Sequence, residues 1–313
     1  MANNSKMDVV IGTGPLGLAV VRELLAKGKR VRVVNKSGKA DVPGNVEVKG
    51  GDIGDPEFAR EVCRLAQAIY LCAKPPYHEM ADKFQPIMDG AIEAAAATQA
   101  RLIYADSLYA YGPASGPLTE DLPYAATGRK GKARARLAMQ LMAAHQAGKV
   151  RATIGRASDF FGPGVIQSAV GERVFGFALA GKAASVTGNP DARHTYTFIN
   201  DFARGLVTLS EHDEALGQTW HVPSAETLTT REFIALVFEE LGKPVKIQVA
   251  PLWLISLLGI FDPVIREVPE ILYQSEQPFV VDHSRYERAF GAGTTPHREA
   301  IRRTLDWYRQ KTG

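Results

Sequence analysis

The stretch Val9-Val10-Ile11-Gly12-Thr13-Gly14-Pro15-Leu16-Gly17-Leu18-Ala19 decides the fold. A short β-branched run meets a GxGxxG turn and continues directly into an apolar helical pattern. Each glycine has its own task there. Gly12 permits the tight turn, Gly14 lets backbone N–H groups approach a pyrophosphate, and Gly17 lets the helix pack closely on the strand. An isolated GxGxxG says little, but here position, spacing and the following βαβ unit agree. The loop from Gly12 to Gly17, with Thr13, Pro15 and Leu16 inside it, is therefore expected to bind a dinucleotide.

Working outward, strands are expected at Asp8–Ile11, Val31–Val34, Val46–Lys49, Ala68–Leu71, Leu102–Tyr104 and Thr153–Arg156. Helices are expected at Leu16–Lys27, Pro56–Leu65, Ala81–Thr98 and Arg134–Ala147, and later at Thr230–Leu241 and His297–Gln310. Parallel neighbours need crossover connections, so this alternation predicts an α/β fold, a Rossmann-type doubly wound parallel sheet. Residues 1–160 are expected to form that nucleotide-binding domain. After Arg156 the pattern loosens into Gly/Pro-punctuated segments, so 161–313 reads mainly as a smaller C-terminal substrate lobe, with some segments returning to the sheet. A ligand would lie at the carboxyl ends of the strands, at the topological switch point.

The second strand selects the cofactor. NAD-binding versions of the fold hold the ribose 2′-hydroxyl with an acidic residue there, whereas Val33-Val34 is followed by Asn35-Lys36-Ser37. A cation and two donors suit a 2′-phosphate, which points to NADP(H) ahead of NAD(H). A solvated turn is the plainer use of the same residues. After the third strand, Gly51-Asp52-Ile53 places Asp52 either at the adenine amino group or at the start of the next helix as its cap. Ile53, and Cys72 and Ala73 just past the fourth strand, complete the expected contacts on this side.

The 313 residues, 45% hydrophobic and 23% charged, can bury a full-sized core, and a formal net charge of +3 gives no reason to expect nucleic acid. The only cysteines, Cys63 and Cys72, form no CxxC or Cys/His cluster, so no metal is expected and a reducing cytoplasm fits best. Met1 to Lys6 lacks the parts of a secretory signal. Pro251 to Phe261 is apolar over about eleven residues, where a membrane span needs about twenty.

The order of motifs resembles the extended branch of the short-chain dehydrogenase/reductase superfamily, the group of nucleotide-sugar epimerases and dehydratases. The marks are the Gly12 loop, Gly51-Asp52-Ile53, Ser107-Leu108-Tyr109-Ala110-Tyr111-Gly112, Leu118-Thr119-Glu120-Asp121, Arg156 through Gly164, and Val281-Asp282-His283-Ser284-Arg285. They span nearly the whole chain. The resemblance implies catalysis by a Ser or Thr with a Tyr and Lys in a YxxxK pair, the Tyr exchanging a proton with the substrate oxygen. Ser107 falls on the family's Ser. The pair itself is missing, because Tyr124 has Gly128 four residues on. The loop holding Ala157 and Ser158 lies where the family positions the nicotinamide amide.

Helix periodicity sets a register for what replaces the pair. Leu137, Ala138, Leu141, Met142 and His145 share one stripe, and extending it backwards reaches Lys130 and Arg134. On that register Lys130 stands for the Tyr and Arg134 for the Lys; Lys132 with Arg136 is the other pairing, and a solvated basic helix start the plain alternative. Neither cation donates a proton readily at neutral pH. Tyr109 is the expected replacement acid, with Tyr111 second. Three readings follow: an NADP-dependent reductase of a small carbonyl or activated double bond, a nucleotide-sugar-type epimerase or dehydratase, and an NADP(H)-sensing protein without turnover. The partner in the first two is a small molecule. The alanine-rich run Ala91–Ala100 would also allow a helix-paired homodimer.

Overall fold

The computed structural model describes residues 6–76, 79–250 and 268–312. Six strands appear where the β-branched runs stand: β1 (Met7–Ile11), β2 (Val31–Asn35), β3 (Glu47–Gly50), β4 (Ala66–Leu71), β5 (Arg101–Ser107) and β6 (Arg151–Ala157). Every residue of β1 is buried. A strand covered on both faces reads as a continuous apolar run rather than an alternating one.

Helices α1 (Pro15–Ala26), α2 (Pro56–Val62), α3 (Met80–Thr98) and α4 (Arg129–Gln146) cross between these strands. Helix α4 begins five residues ahead of expectation, so the whole basic run lies inside it. In the second half come β7 (Phe160–Phe161), α5 (Phe175–Leu179), β8 (Ala184–Thr187), β9 (Arg193–His194), β10 (Thr197–Phe198) and α6 (Ile199–Glu211). Then follow β11 (Thr219–His221), β12 (Leu228–Thr229), α7 (Thr230–Glu240), β13 (Ile247–Ala250), α8 (Tyr273–Glu276), α9 (Ser284–Phe290) and α10 (His297–Thr312).

The central sheet has seven parallel strands in the order β3-β2-β1-β4-β5-β6-β11. The order reverses between β1 and β4, and their carboxyl ends open the crevice there. Strand β11 pairs with β6 at the sheet's edge, and α6 packs against α1. The short pairs β10–β7, β12–β9 and β13–β8 build the second lobe around an aromatic cluster of Phe161, Phe175, Phe233, Tyr196 and Tyr308.

Ala91, Ala94 and Ala95 of α3 are buried inside the chain. Their small size serves close packing within this copy. Among the described residues no helix is long and apolar enough to cross a membrane, and no group of three or more His, Cys, Asp or Glu could hold a metal. The apolar segment Pro251 to Phe261 lies outside the described residues.

Candidate active site

A cleft of ≈ 1040 Å³ runs along the carboxyl ends of β1, β2, β4 and β5, closed on the lobe side by Gly164 to Gln167. The glycine loop forms one end of it. Gly12 takes φ +100°, and a Cβ there would stand 2.6 Å from the Ala73 nitrogen. At Gly17 a Cβ would fall 1.9 Å from the Gly12 carbonyl oxygen, so the loop and α1 approach closely only without a side chain. At Gly14 a Cβ would meet nothing within 4 Å. That side of Gly14 is open.

Gly14 is also the N-cap of α1, with no side chain capping it and no acid in the first turn. The uncapped amides and the dipole of this 12-residue helix therefore point unopposed at the cleft. These features fit the pyrophosphate of a dinucleotide. Thr13, Pro15, Leu16, Cys72 and Ala73 line the cleft with them, and Gly17 packs beneath.

The turn after β2 is arranged differently from expectation. Asn35 and Lys36 line the cleft, but Ser37 stands off its wall. The Asn35 amide donates to Thr13 Oγ1 at 2.7 Å and to the Lys39 carbonyl at 2.8 Å. Its carbonyl accepts from the Gly38 nitrogen at 2.7 Å and the Ser37 hydroxyl at 3.1 Å. Both residues thus spend their polar groups on the turn and, for Asn35, on Thr13 of the glycine loop. Lys36 pairs with Asp52 Oδ2 at 3.0 Å, and the Gly54 amide donates to Asp52 Oδ1 at 2.9 Å. That amide and Lys36 hold the Asp52 carboxyl below its ordinary pKa. Asp55, not Asp52, caps α2 by accepting from the Glu57 and Phe58 nitrogens, so Asp52 faces the cleft with Ile53.

The opposite end of the cleft is built on β5. Ser107, Tyr109 and Arg134 line it together with Asp106. The Ser107 hydroxyl and Arg134 Nε are buried with no hydrogen-bond partner among the described residues. Arg134 Nη1 donates to Tyr104 Oη at 2.8 Å and to Asp106 Oδ1 at 3.0 Å, and its guanidinium lies 4.8 Å from the Phe84 ring centroid. Burial opposes its charge, but Tyr104 and Asp106 more than offset this and raise its pKa.

The register through Lys130 and Arg134 is the inward one, since both are buried and Lys132 and Arg136 are exposed. Only Arg134 reaches the cleft wall. Lys130 is buried, and its backbone nitrogen donates to Glu270 Oε1 at 2.7 Å.

Sequence reasoning passed over the group behind Arg134. Asp106 Oδ2 accepts from Arg156 Nε at 2.9 Å, so one buried carboxylate bridges two buried guanidiniums. Arg156 donates from Nη2 to Tyr124 Oη at 2.9 Å and packs on both the Tyr111 and Tyr124 rings, at 4.8 and 4.7 Å from their centroids. His221 Nδ1 lies 3.0 Å from the Asp282 carbonyl, which can only accept, so the ring donates there. The other nitrogen then accepts from Tyr111 Oη at 2.9 Å in the neutral ring. Burial pushes the His221 pKa down to about 3, which keeps it neutral. Tyr111 belongs to this network, whereas Tyr109 belongs to the cleft. The available signal was charge at the carboxyl ends of two buried strands, Asp106 on β5 and Arg156 on β6.

Ala157, the last residue of β6, and Ser158 after it are buried and do not line the cleft. His194 is held by the Gln274 carbonyl at 3.0 Å and stacks on Tyr196 and Phe279, a packed structural histidine. Asp201 accepts from the Thr295 nitrogen and hydroxyl at 2.8 and 2.7 Å and anchors the C-terminal segment.

A glycine-loop cleft at the switch point of a doubly wound sheet, with a serine at the end of β5, defines a nicotinamide-dinucleotide-type site. Residues 9–222 match the NAD dependent epimerase/dehydratase family, and the chain belongs to it. Among solved structures it is similar to the dTDP-glucose 4,6-dehydratase of Streptomyces venezuelae with NAD bound, at 18% identity over 98% of each chain and a TM-score of 0.77. It is similar to the UDP-glucuronic acid 4-epimerase of Bacillus cereus in complex with UDP-glucuronic acid and NAD, at 16% identity over 97% of this chain and 100% of that one, TM-score 0.78. It also resembles the UDP-N-acetylglucosamine 4-epimerase of Methanobrevibacter ruminantium M1, at 16% identity over 98% and 99% of the two chains, TM-score 0.79. No curated protein matches the chain in sequence.

Proposed function

We propose that the chain is a nicotinamide-dinucleotide-dependent enzyme of the epimerase or dehydratase type, acting at a hydroxyl-bearing carbon of a small-molecule substrate such as a nucleotide sugar. The observation that carries this reading is the partnerless Ser107 hydroxyl at the end of β5, in one cleft with the glycine loop. The bound cofactor would supply reversible hydride exchange with that carbon. The Gly12–Gly17 loop and the α1 N-terminus would hold the pyrophosphate, and Asn35, Lys36, Asp52 and Ile53 would frame the adenosine. Ser107 donates to the substrate oxygen, and Tyr109, in the same wall, is the proton-exchanging group in place of the absent tyrosine of the YxxxK pair.

Lys36 favours NADP(H) over NAD(H), although a 2′-phosphate must compete with Asp52 for it. Lys36→Glu should weaken NADPH about tenfold, the scale of one charge-assisted hydrogen bond. Asp52→Asn, which frees Lys36, should tighten NADPH relative to NADH. Fluorescence titration of NADPH and NADH with wild type and both variants reads this, and equal NADPH affinities across the three proteins would remove the 2′-phosphate assignment.

The missing YxxxK pair favours a second reading, net reduction of a small carbonyl by NADPH. Incubation with dTDP- and UDP-sugars and a catalytic amount of cofactor separates the two. Product formed without net change in nicotinamide absorbance supports the first, and stoichiometric loss of NADPH with ketones supports the second. Ser107→Ala should reduce either turnover by 10²-fold or more, of the order seen for a lost oxyanion donor.

A further inference from the structure

We propose that the β4–β5 end of the cleft is an anion subsite, formed by Lys74 and Arg134, that takes a carboxylate carried by the substrate beside its reacting carbon. The inference rests on the reading of this cleft as the reaction site and names the substrate's class within it.

The charge balance of the cleft comes first. Its wall carries four carboxylates, and each already has a cation: Asp52 has Lys36 at 3.0 Å, Glu79 has Lys83 at 2.7 Å, Asp82 has Arg129 at 3.0 Å, and Asp106 has Arg134 at 3.0 Å. Asp106 serves Arg156 as well, so that corner holds two guanidiniums for one carboxylate. Lys74, also on the wall, makes no ion pair or hydrogen bond among the described residues. The lining has four cations for its four acids, but Arg129 and Arg156 pair with those acids from outside it, which leaves Lys74 without a carboxylate.

Topology puts that charge next to the chemistry. Leu71 of β4 pairs with Tyr104 of β5, so Lys74 and Ser107 each stand three residues past a matched pair, on neighbouring strand ends. Arg134 reaches the same place from α4, contacting Tyr104 and Asp106. Its Nε is buried and without a partner among the described residues, although the same guanidinium is bonded through Nη1. A buried guanidinium N–H left unsatisfied is costly, and an arriving oxygen acceptor satisfies it. Lys74 as a residue is exposed, yet burial at its ammonium and the nearby Arg134 charge lower its pKa, an effect an anion between them would reverse. The Ser107 hydroxyl then marks the reacting oxygen, and the Lys74–Arg134 side marks the carboxylate.

The test uses the full-length protein and two isosteres, oxamate with a carboxylate and oxamide without one, titrated calorimetrically with and without saturating NADPH or NAD. Oxamate should bind at least tenfold tighter than oxamide in the presence of cofactor. Lys74→Met, at an exposed position, should remove most of that preference and leave oxamide unaffected. Arg134→Lys keeps the charge toward Asp106 but loses Nε, and should weaken oxamate in the same direction.

Equal binding of the two isosteres, or oxamate affinity unchanged in Lys74→Met, overturns the proposal. So does oxamate binding that disappears on cofactor saturation, because the anion then occupies the place of a cofactor phosphate. Should no nicotinamide cofactor bind, the functional reading above fails, while the titration without cofactor still decides the subsite.

Discussion

At Gly14 the function of a single residue separates cleanly from its contribution to folding. A methyl at Gly17 would overlap the Gly12 carbonyl, whereas one at Gly14 has open space toward the cleft. Gly17→Ala must therefore push α1 off its strand, and should lower stability by about 1–3 kcal/mol, the range for overpacking. Gly14→Val should leave the thermal midpoint within a degree or two and weaken NADPH and NADH alike by tenfold or more, since its bulk meets ligand rather than protein. Thermal melts beside cofactor titrations read both variants. An unaltered cofactor affinity in Gly14→Val would mean that no pyrophosphate passes that point.

At the scale of elements, β5, β6 and β11 are tied at their carboxyl ends by the Asp106, Arg156, Tyr111 and His221 network. Removing the shared charge by Asp106→Asn strands two buried guanidiniums, and the expected loss is about 3–5 kcal/mol. A urea midpoint close to wild type would show these charges to be solvated. The histidine gives a pH signature of the same tie. His221 is depressed to about 3 in the folded chain against 6.5 in the unfolded one, so the unfolded state binds the extra proton between those values. Its contribution is complete above pH 6.5 and is lost as pH falls toward 3. Between pH 7 and pH 5 this amounts to about 2 kcal/mol, which His221→Gln should not show.

These elements also show what the sequence could and could not reveal. The strands and helices of the sheet were legible because a β-branched run bounded by glycine, and an apolar stripe at helical spacing, report burial directly. The inward stripe of α4 was legible for the same reason, down to Arg134. The network was not, because it joins residues 50 and 110 positions apart whose pairing depends on strand order. Seven-strand closure by β11 was hidden too: Thr219-Trp220-His221 is three residues long and carries no periodicity. At Asn35 and Ser37 the residue types fitted a phosphate, but they fit an Asx-type turn equally well, and local hydrogen bonds form first.

For the whole molecule, the cleft couples ligand binding to global opening, and Cys63 reports it. This thiol ends α2 in full burial, with its pKa pushed up to about 12, so at pH 8 it is neither accessible nor ionised. Modification by a thiol reagent requires α2 to leave the sheet. The loop that leads into α2 contributes Asp52 and Ile53 to the cleft wall, while Gly164 to Gln167 of the second lobe contributes the other side. A ligand spanning these segments binds the closed protein and not the opened one, and stabilises it by RT ln(1 + [L]/Kd). At a hundredfold excess over Kd this is about 2.7 kcal/mol, so labelling of Cys63 should slow about a hundredfold. Cys72, on the cleft wall itself, is held up at about 12 by burial and should be shielded by the same ligand through direct contact. Single-cysteine variants followed with and without NADPH distinguish the two. Protection of Cys72 without protection of Cys63 would place the ligand in the cleft but uncouple it from the lobe and α2.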